Sequence, residues 1–252
     1  MKKSNQLLIA LFLLALLVIG FANLNLYSEY RKGNITSRDD LMVGAWNTTQ
    51  LPPLKTVSLT GVVWANFIPS DSNYVEYPIV ADKTTENYVR QLHQSGDTLY
   101  ITGPFEMPNH RIWADWLYRH SFAPINIHLK NLRTINVINS QIYVVGAAIT
   151  PSTGTMHING NGSSIWIGDH DEIPNIPELP KEYFDSLDLH LDNTLLMLNR
   201  PAVITNVHAW LDNYSEINDR TATLGAADIS PGPDSRVSIT GANIPKTTIN
   251  VH

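Results

Sequence analysis

Asp188, His190 and Asp192 alternate with apolar residues in the run Leu187-Asp188-Leu189-His190-Leu191-Asp192. In a strand, successive side chains point to opposite faces, so the two carboxylates and the imidazole would stand in one line. Two carboxylates set across a glycosidic bond make a hydrolase, and Asp212 could lie one repeat away from this line. The same alternation also describes any solvent-facing strand. A lyase would further want Lys or Arg beside its acids, and Lys130, Arg133, Lys181, Arg200, Arg220, Arg236 and Lys246 are spread singly. No Gly-x-Ser-x-Gly, phosphate-binding loop or His-Glu-x-x-His motif occurs. With those parts missing, the chain is not expected to be an enzyme, and no catalytic residue is assigned.

Gly168-Asp169-His170-Asp171-Glu172 gathers three carboxylates and a His, donors that suit a hard cation. It lacks the ligand spacing of a calcium loop, so it reads as a solvated acidic turn, and no metal or cofactor is expected. His128, His190 and His208 each occupy the outward position of a strand-like segment. Stacked, they would form a weak metal-binding or pH-sensitive stripe; isolated surface histidines are the plainer expectation. The residues best suited to binding lie in the segment 104–124, the densest aromatic cluster of the chain. There Trp113, Trp116 and Tyr118, with His110 and Arg111 beside them, would make a stacking platform for a sugar or a hot spot for a protein. The alternative is that these rings fold back to cover a sheet face or plug an end of the fold.

The elements that would position such groups announce themselves by repetition. An Asn or Asp, then small or polar residues, then an apolar residue opening a short alternating strand recurs through the second half. The copies are Asn139-Ser140-Gln141-Ile142, Asn161-Gly162-Ser163-Ser164-Ile165, Asn193-Thr194-Leu195-Leu196, Asn213-Tyr214-Ser215-Glu216-Ile217 and Asp234-Ser235-Arg236-Val237. Their apolar members fall at 142, 165, 196, 217 and 237, at intervals of 23, 31, 21 and 20. The long interval contains a Pro-rich insertion, residues 173–180. A unit of this length made of strands and turns predicts an all-β stack of repeats, a β-solenoid, in which equivalent apolar residues lie above one another. Asn, Asp, Gly and Ser suit its corners, because they tolerate positive φ or close a turn with their own side chain. Strand-like segments begin near Leu54, and the less regular first part and the tail from Ile244 are the expected caps.

The chain opens Met1-Lys2-Lys3 and then runs without charge from Leu7 to Leu26. Twenty such residues would form a helix of about 30 Å, enough to span a bilayer. Gly20-Phe21-Ala22 offers a cleavage site, so the segment 1–27 is either a signal peptide or an anchor, with its length favouring the anchor. Lys2 and Lys3 would keep the N-terminus cytoplasmic and send the remainder outward. The expected layout is thus 1–27 signal or anchor, 28–53 linker, and 54–252 one β domain. All 23 acidic residues and 15 of the 17 basic ones follow the apolar run, giving a formal charge of −8. An acidic exported part without a basic run argues against nucleic acid and leaves the membrane, a polysaccharide or a surface protein as partners. There is no Cys, so no disulfide framework or thiolate metal site can form.

Two blocks of the sequence resemble the bacterial family of auto-transporter adhesin head GIN domains, abundant in Bacteroidetes. The first is Leu54-Lys-Thr-Val-Ser-Leu-Thr-Gly61, leading through Val75-Glu-Tyr77 to Ser95-Gly-Asp-Thr-Leu-Tyr-Ile101. The second comprises Leu187-Asp-Leu-His-Leu-Asp-Asn193, Ala209-Trp-Leu-Asp-Asn213 and Asp234-Ser-Arg-Val-Ser-Ile-Thr-Gly241. The resemblance covers roughly residues 54 to 245. It implies an exported right-handed parallel β-helix behind a signal peptide or anchor, working in adhesion, and it brings no set of catalytic residues. The aromatic insertion at 104–124 and the Pro-rich loop at 173–180 depart from the family pattern.

Overall fold

The computed structural model describes residues 46–62, 64–78, 89–103, 125–146, 152–168 and 181–250, all within one compact unit, Trp46–His252. The first strands in chain order are β1 (Trp46–Gln50), β2 (Thr56–Thr60), β3 (Ala65–Pro69), β4 (Tyr74–Pro78), β5 (Gln91–Ser95) and β6 (Thr98–Thr102). β7 (Ile125–Leu129), β8 (Thr134–Ile138), β9 (Gln141–Val144), β10 (Ser152–Asn161), β11 (Ser164–Ile167) and β12 (Glu182–Asp192) follow. The chain closes with β13 (Leu195–Leu198), β14 (Ala202–Asp212), β15 (Glu216–Asp219), β16 (Thr223–Pro231), β17 (Arg236–Ser238), a 3-10 helix (Gly241–Lys246) and β18 (Thr247–Ile249).

These strands form two mixed nine-stranded sheets. The short-strand sheet has the order β1-β4-β7-β3-β9-β11-β13-β15-β17, and the long-strand sheet has the order β18-β16-β14-β12-β10-β8-β2-β6-β5. From β8 onward the chain alternates between the sheets, and each strand pairs in parallel with the strand two elements later. The repeat predicted from sequence fixes this register. Ile142 pairs with Ile165, Ile165 with Leu196, Leu196 with Ile217, and Ile217 with Val237. All but Val237 are buried, so the row forms a continuous apolar spine. Opposite it, the inward positions of the long-strand sheet carry Leu99, Val57, Ile135, Ile158, Leu189, Ala209 and Ile229 in adjacent register.

The first half departs from a simple succession of repeats. β2 lies between β6 and β8, and β3 between β7 and β9, so order in space is not order in sequence there. β1 lies inside the stretch 28–53 expected as linker, and it pairs antiparallel with β4. β4 in turn runs antiparallel to β7, and β5 forms a hairpin with β6 through Gly96 and Asp97. These antiparallel strands close the first end of both sheets, as the expected N-terminal cap should.

The corners turn through positive φ, at Asn139 (47°), Gly162 (58°), Asn193 (47°), Asn213 (39°), Tyr214 (59°) and Asp234 (62°). In the second copy the left-handed residue is therefore Gly162, one position after Asn161. The residue following each corner is a hydroxyl, namely Ser140, Ser163, Thr194, Ser215 and Ser235. The first four are buried and bonded from layer to layer. Val62 N–H donates to Ser140 Oγ at 2.8 Å, and Ser140 N–H to Ser163 Oγ at 3.2 Å. Ser163 N–H then donates to Thr194 Oγ1 at 3.3 Å, and Thr194 N–H to Ser215 Oγ at 3.2 Å. Each hydroxyl also donates to a carbonyl, as Ser163 does to Asn161 O at 2.8 Å. A parallel ladder leaves corner amides without sheet partners, and buried amides need one. The hydroxyl row supplies it.

Thr194 carries the one branched hydroxyl in this row, and a glycine accommodates it. A Cβ at Gly160 would come within 2.8 Å of Thr194 Cγ2. Gly160→Ala is expected to lose about 1–2 kcal/mol through overpacking, although alanine ordinarily favours a strand over glycine. Adding Thr194→Ser removes the opposing methyl, and the double variant should recover most of that loss in urea denaturation. Additive losses from the two changes would refute this coupling.

At the far end the 3-10 helix replaces the corner between β17 and β18. Asn243, buried, donates to Asp219 Oδ2 at 2.7 Å and Ala222 O at 2.8 Å, and accepts from Leu224 N–H at 3.0 Å. Lys246 Nζ donates to Leu224 O at 2.8 Å. The tail thus ties itself to the preceding layer.

Among the described residues no helix is long and apolar enough to cross a membrane. The apolar segment 7–26, the aromatic segment 104–124 with His110, Arg111, Trp113, Trp116 and Tyr118, the acidic residues 169–172 and the Pro-rich loop 173–180 lie outside the described residues.

Candidate functional site

The short-strand sheet leaves little free surface in its middle. In β9 and β11 the outward residues Gln141, Tyr143, Ser164 and Trp166 are buried along with the inward ones. Tyr143 and Trp166 stack at 5.1 Å with planes 13° apart, and Trp64 tilts against Tyr143. Large accessible features lie instead on the long-strand sheet, where outward residues form rows across the strands.

One row carries Thr134, His157, Asp188, His208 and Asp228 in direct register. The next carries Tyr100, Ser58, Asn136, Asn159, His190, Trp210 and Ser230. A third carries Ile138, Asn161, Asp192 and Asp212. None of these positions is Lys or Arg. Asp188, His190 and Asp192 do share one face of β12, and Asp212 stands opposite Asp192, as the alternation required.

Their partners define what the face can do. His157 Nδ1 lies 2.9 Å from Asp188 Oδ2, while Asp188 Oδ1 is shut from solvent without a hydrogen-bond partner. Asp192 accepts from Asn161 Nδ2 at 3.1 Å and from Asn213 Nδ2 at 2.8 Å. Asn250 Nδ2 donates to Asp228 Oδ1. His190 and Trp210 stack with centroids 4.5 Å apart and planes 10° apart, and the indole stays 42% exposed. A second stack, His93 on Tyr100 at 5.0 Å and 9°, stands toward the other end of the same sheet.

The three histidines do not line up in the stripe that was the alternative to isolated positions. His128 belongs to the short-strand sheet, where it stacks on Tyr74 at 4.1 Å and lies 3.4 Å from Glu76 Oε2. His190 faces Trp210, and His208 faces Asp188 and Asp228, so no two histidines stack on each other. The physical reason is register: 190 and 208 differ by 18, whereas β12 and β14 pair at an offset of 20. Among the described residues no three of His, Asp and Glu converge where a metal could sit.

Trp210 is the residue that the sequence-based candidates missed. Its signal was present, since the offset that carries Asp188 to His208 and Asp192 to Asp212 also carries His190 to Trp210.

This fold has solved counterparts. One is a "putative adhesin" from Parabacteroides distasonis, 17% identical, with a TM-score of 0.53, covering 83% of this chain and 79% of that one. Another is a "putative adhesin" from Parabacteroides merdae, 12% identical, with a TM-score of 0.50, covering 82% of this chain and 75% of that one. At such identities the likeness is one of fold. No family model matches the chain, and no curated protein matches it.

Proposed function

We propose that this chain is a β-solenoid of the head GIN type, held at the bacterial cell envelope through residues 7–26 and acting in adhesion without catalysis. The observation that carries this reading is the outward face of the long-strand sheet. It is broad, built on rigid paired strands, without Lys or Arg in its three central rows, and furnished with exposed aromatic stacks. Such a surface suits an extended partner better than a small substrate. The fold likeness to two adhesin-named structures from one bacterial genus supports the same reading.

The enzyme alternative draws less support from the geometry. Asp188 and Asp192 are four residues apart on one strand, about 13 Å at the usual rise, whereas paired glycosidase carboxylates stand roughly 5–9.5 Å apart. Asp212 does stand opposite Asp192, but both oxygens of Asp192 are already engaged by amides.

The test is to express the full chain in a non-adherent bacterium and count cells retained on surfaces coated with bacterial or host glycans and proteins. Retention should rise severalfold over cells carrying a version without residues 46–252, with no new reducing ends in the medium. Equal retention of both strains on every coating would sink the adhesion role, and released reducing ends would sink its non-catalytic part.

A further inference from the structure

Across the stacked row the long-strand sheet has a step. β14 presents Asn206, His208 and Trp210, and β16 presents Ala226, Asp228 and Ser230 at the same levels. The imidazole of His190 covers one face of the indole, with the two planes nearly parallel. That arrangement turns the other face toward β16, where the side chain in register is only Ser230. Trp210 therefore stands as a wall beside a low polar shelf. Asp228, steadied by Asn250, rises from the shelf, and Asp212 and His208 flank the indole on its own strand.

We infer that this step is a subsite for a neutral polysaccharide, one pyranose ring of which stacks on the free face of Trp210 above Ser230. The inference rests on the adhesion reading and gives it a ligand class. An indole face takes the C–H face of a sugar ring, because both are apolar and flat while their edges are polar. The sugar's hydroxyls then meet acceptors at Asp228 and Asp212. A planar wall orients the ring along the strands, so the chain runs beside β14 over β16. Carboxylates without a Lys or Arg on these rows repel anionic glycans, and the polar shelf disfavours a greasy ligand.

Affinity electrophoresis of the full chain in detergent tests this, using gels cast with xylan, mannan or hydroxyethylcellulose, and with polygalacturonate and polylysine as charged comparisons. At least one neutral polymer should retard the protein equally in low salt and in ~0.5 M salt, where charge attraction is screened. Trp210→Ala should weaken that retardation at least about tenfold, whereas Trp210→Phe keeps most of it. Ser230→Tyr, which leaves the indole intact but fills the shelf, should weaken it comparably. Both positions are partly exposed, so the thermal unfolding of these variants should match that of the parent. Three results would overturn the proposal: unchanged retardation of both Trp210→Ala and Ser230→Tyr, loss only in Trp113→Ala/Trp116→Ala, or binding to polylysine alone that disappears in salt. Absence of any neutral-polymer binding overturns it too, and if cells bearing the chain still adhere, the adhesion reading stands without this ligand.

Discussion

Asn243→Ala is expected to lower stability by about 3 kcal/mol, the sum of several buried polar groups losing their partner at once. Asn243 holds Asp219 Oδ2, Ala222 O and Leu224 N–H together. Asp219 is fully buried and its Oδ1 already lacks a partner. Without Asn243, the carboxylate keeps only a long bond from Thr240 N–H at 3.4 Å. Leaving a buried carboxyl group so poorly served costs more than losing an exposed hydrogen bond. Alanine cannot replace any of the three bonds. The urea midpoint should fall, and amide protection should disappear first in β17 and β18, because a stack of repeats opens from the end whose neighbour contacts are lost. Asn250→Ala, which removes an exposed bond to Asp228, serves as the comparison and should cost under about 0.5 kcal/mol. Equal midpoints for the Asn243 and Asn250 variants would show that the tail does not hold the end of the sheets.

Ile165→Ala should cost about 3–4 kcal/mol, within the usual range for emptying a packed isoleucine site. Ile165 is fully buried between Ile142 and Leu196 in the spine. Its neighbours along the row are branched side chains on fixed strands, which cannot slide inward to close the void. The position also matters, since a gap in the middle of a stack weakens contacts on two sides, whereas one at the end weakens a single side. Val237→Ala, at the last and partly exposed member of the row, should therefore cost no more than about half as much. Denaturation of the two variants under the same conditions checks this, and a larger loss at Val237 would contradict the stacked order of contributions.

The second half of the fold was legible because its inward residues are simple. Ile142, Ile165, Leu196, Ile217 and Val237 can do little except pack, so their recurrence translates directly into register. The outward face was legible only in part. Alternation places Asp188, His190 and Asp192 in one line, but the two-dimensional map needs the strand offset as well. Without that offset, His128, His190 and His208 are equivalent in the sequence, and nothing sets Trp210 apart from its apolar neighbours. The hydroxyl row hid for a different reason. Serine is as common in a solvated turn as in a buried one, and only burial tells the two apart. The first half resisted because β2 and β3 are laid down before the strands that come to flank them on both sides. Local patterning says which residues form strands, but not that β6 and β8 meet across β2.

The hydroxyl row has a consequence for how such a molecule changes length. Each of the four buried corner hydroxyls receives an amide hydrogen from the layer before it, and all four bonds from Val62 to Ser215 point the same way. Each layer up to Thr194 therefore brings one acceptor and presents one donor, while the Ser215 N–H turns back to Asp212 O at 3.2 Å. A tandem copy of residues 193–212, inserted after Asp212, would arrive with its own Thr194 and find the chain's Ser215 waiting. Such a duplication widens the outward face by one strand and creates no unmet polar group, whereas an insertion of half that length leaves an amide facing apolar side chains. Growth by whole units is the inexpensive route for this architecture, and reach is the property it would alter.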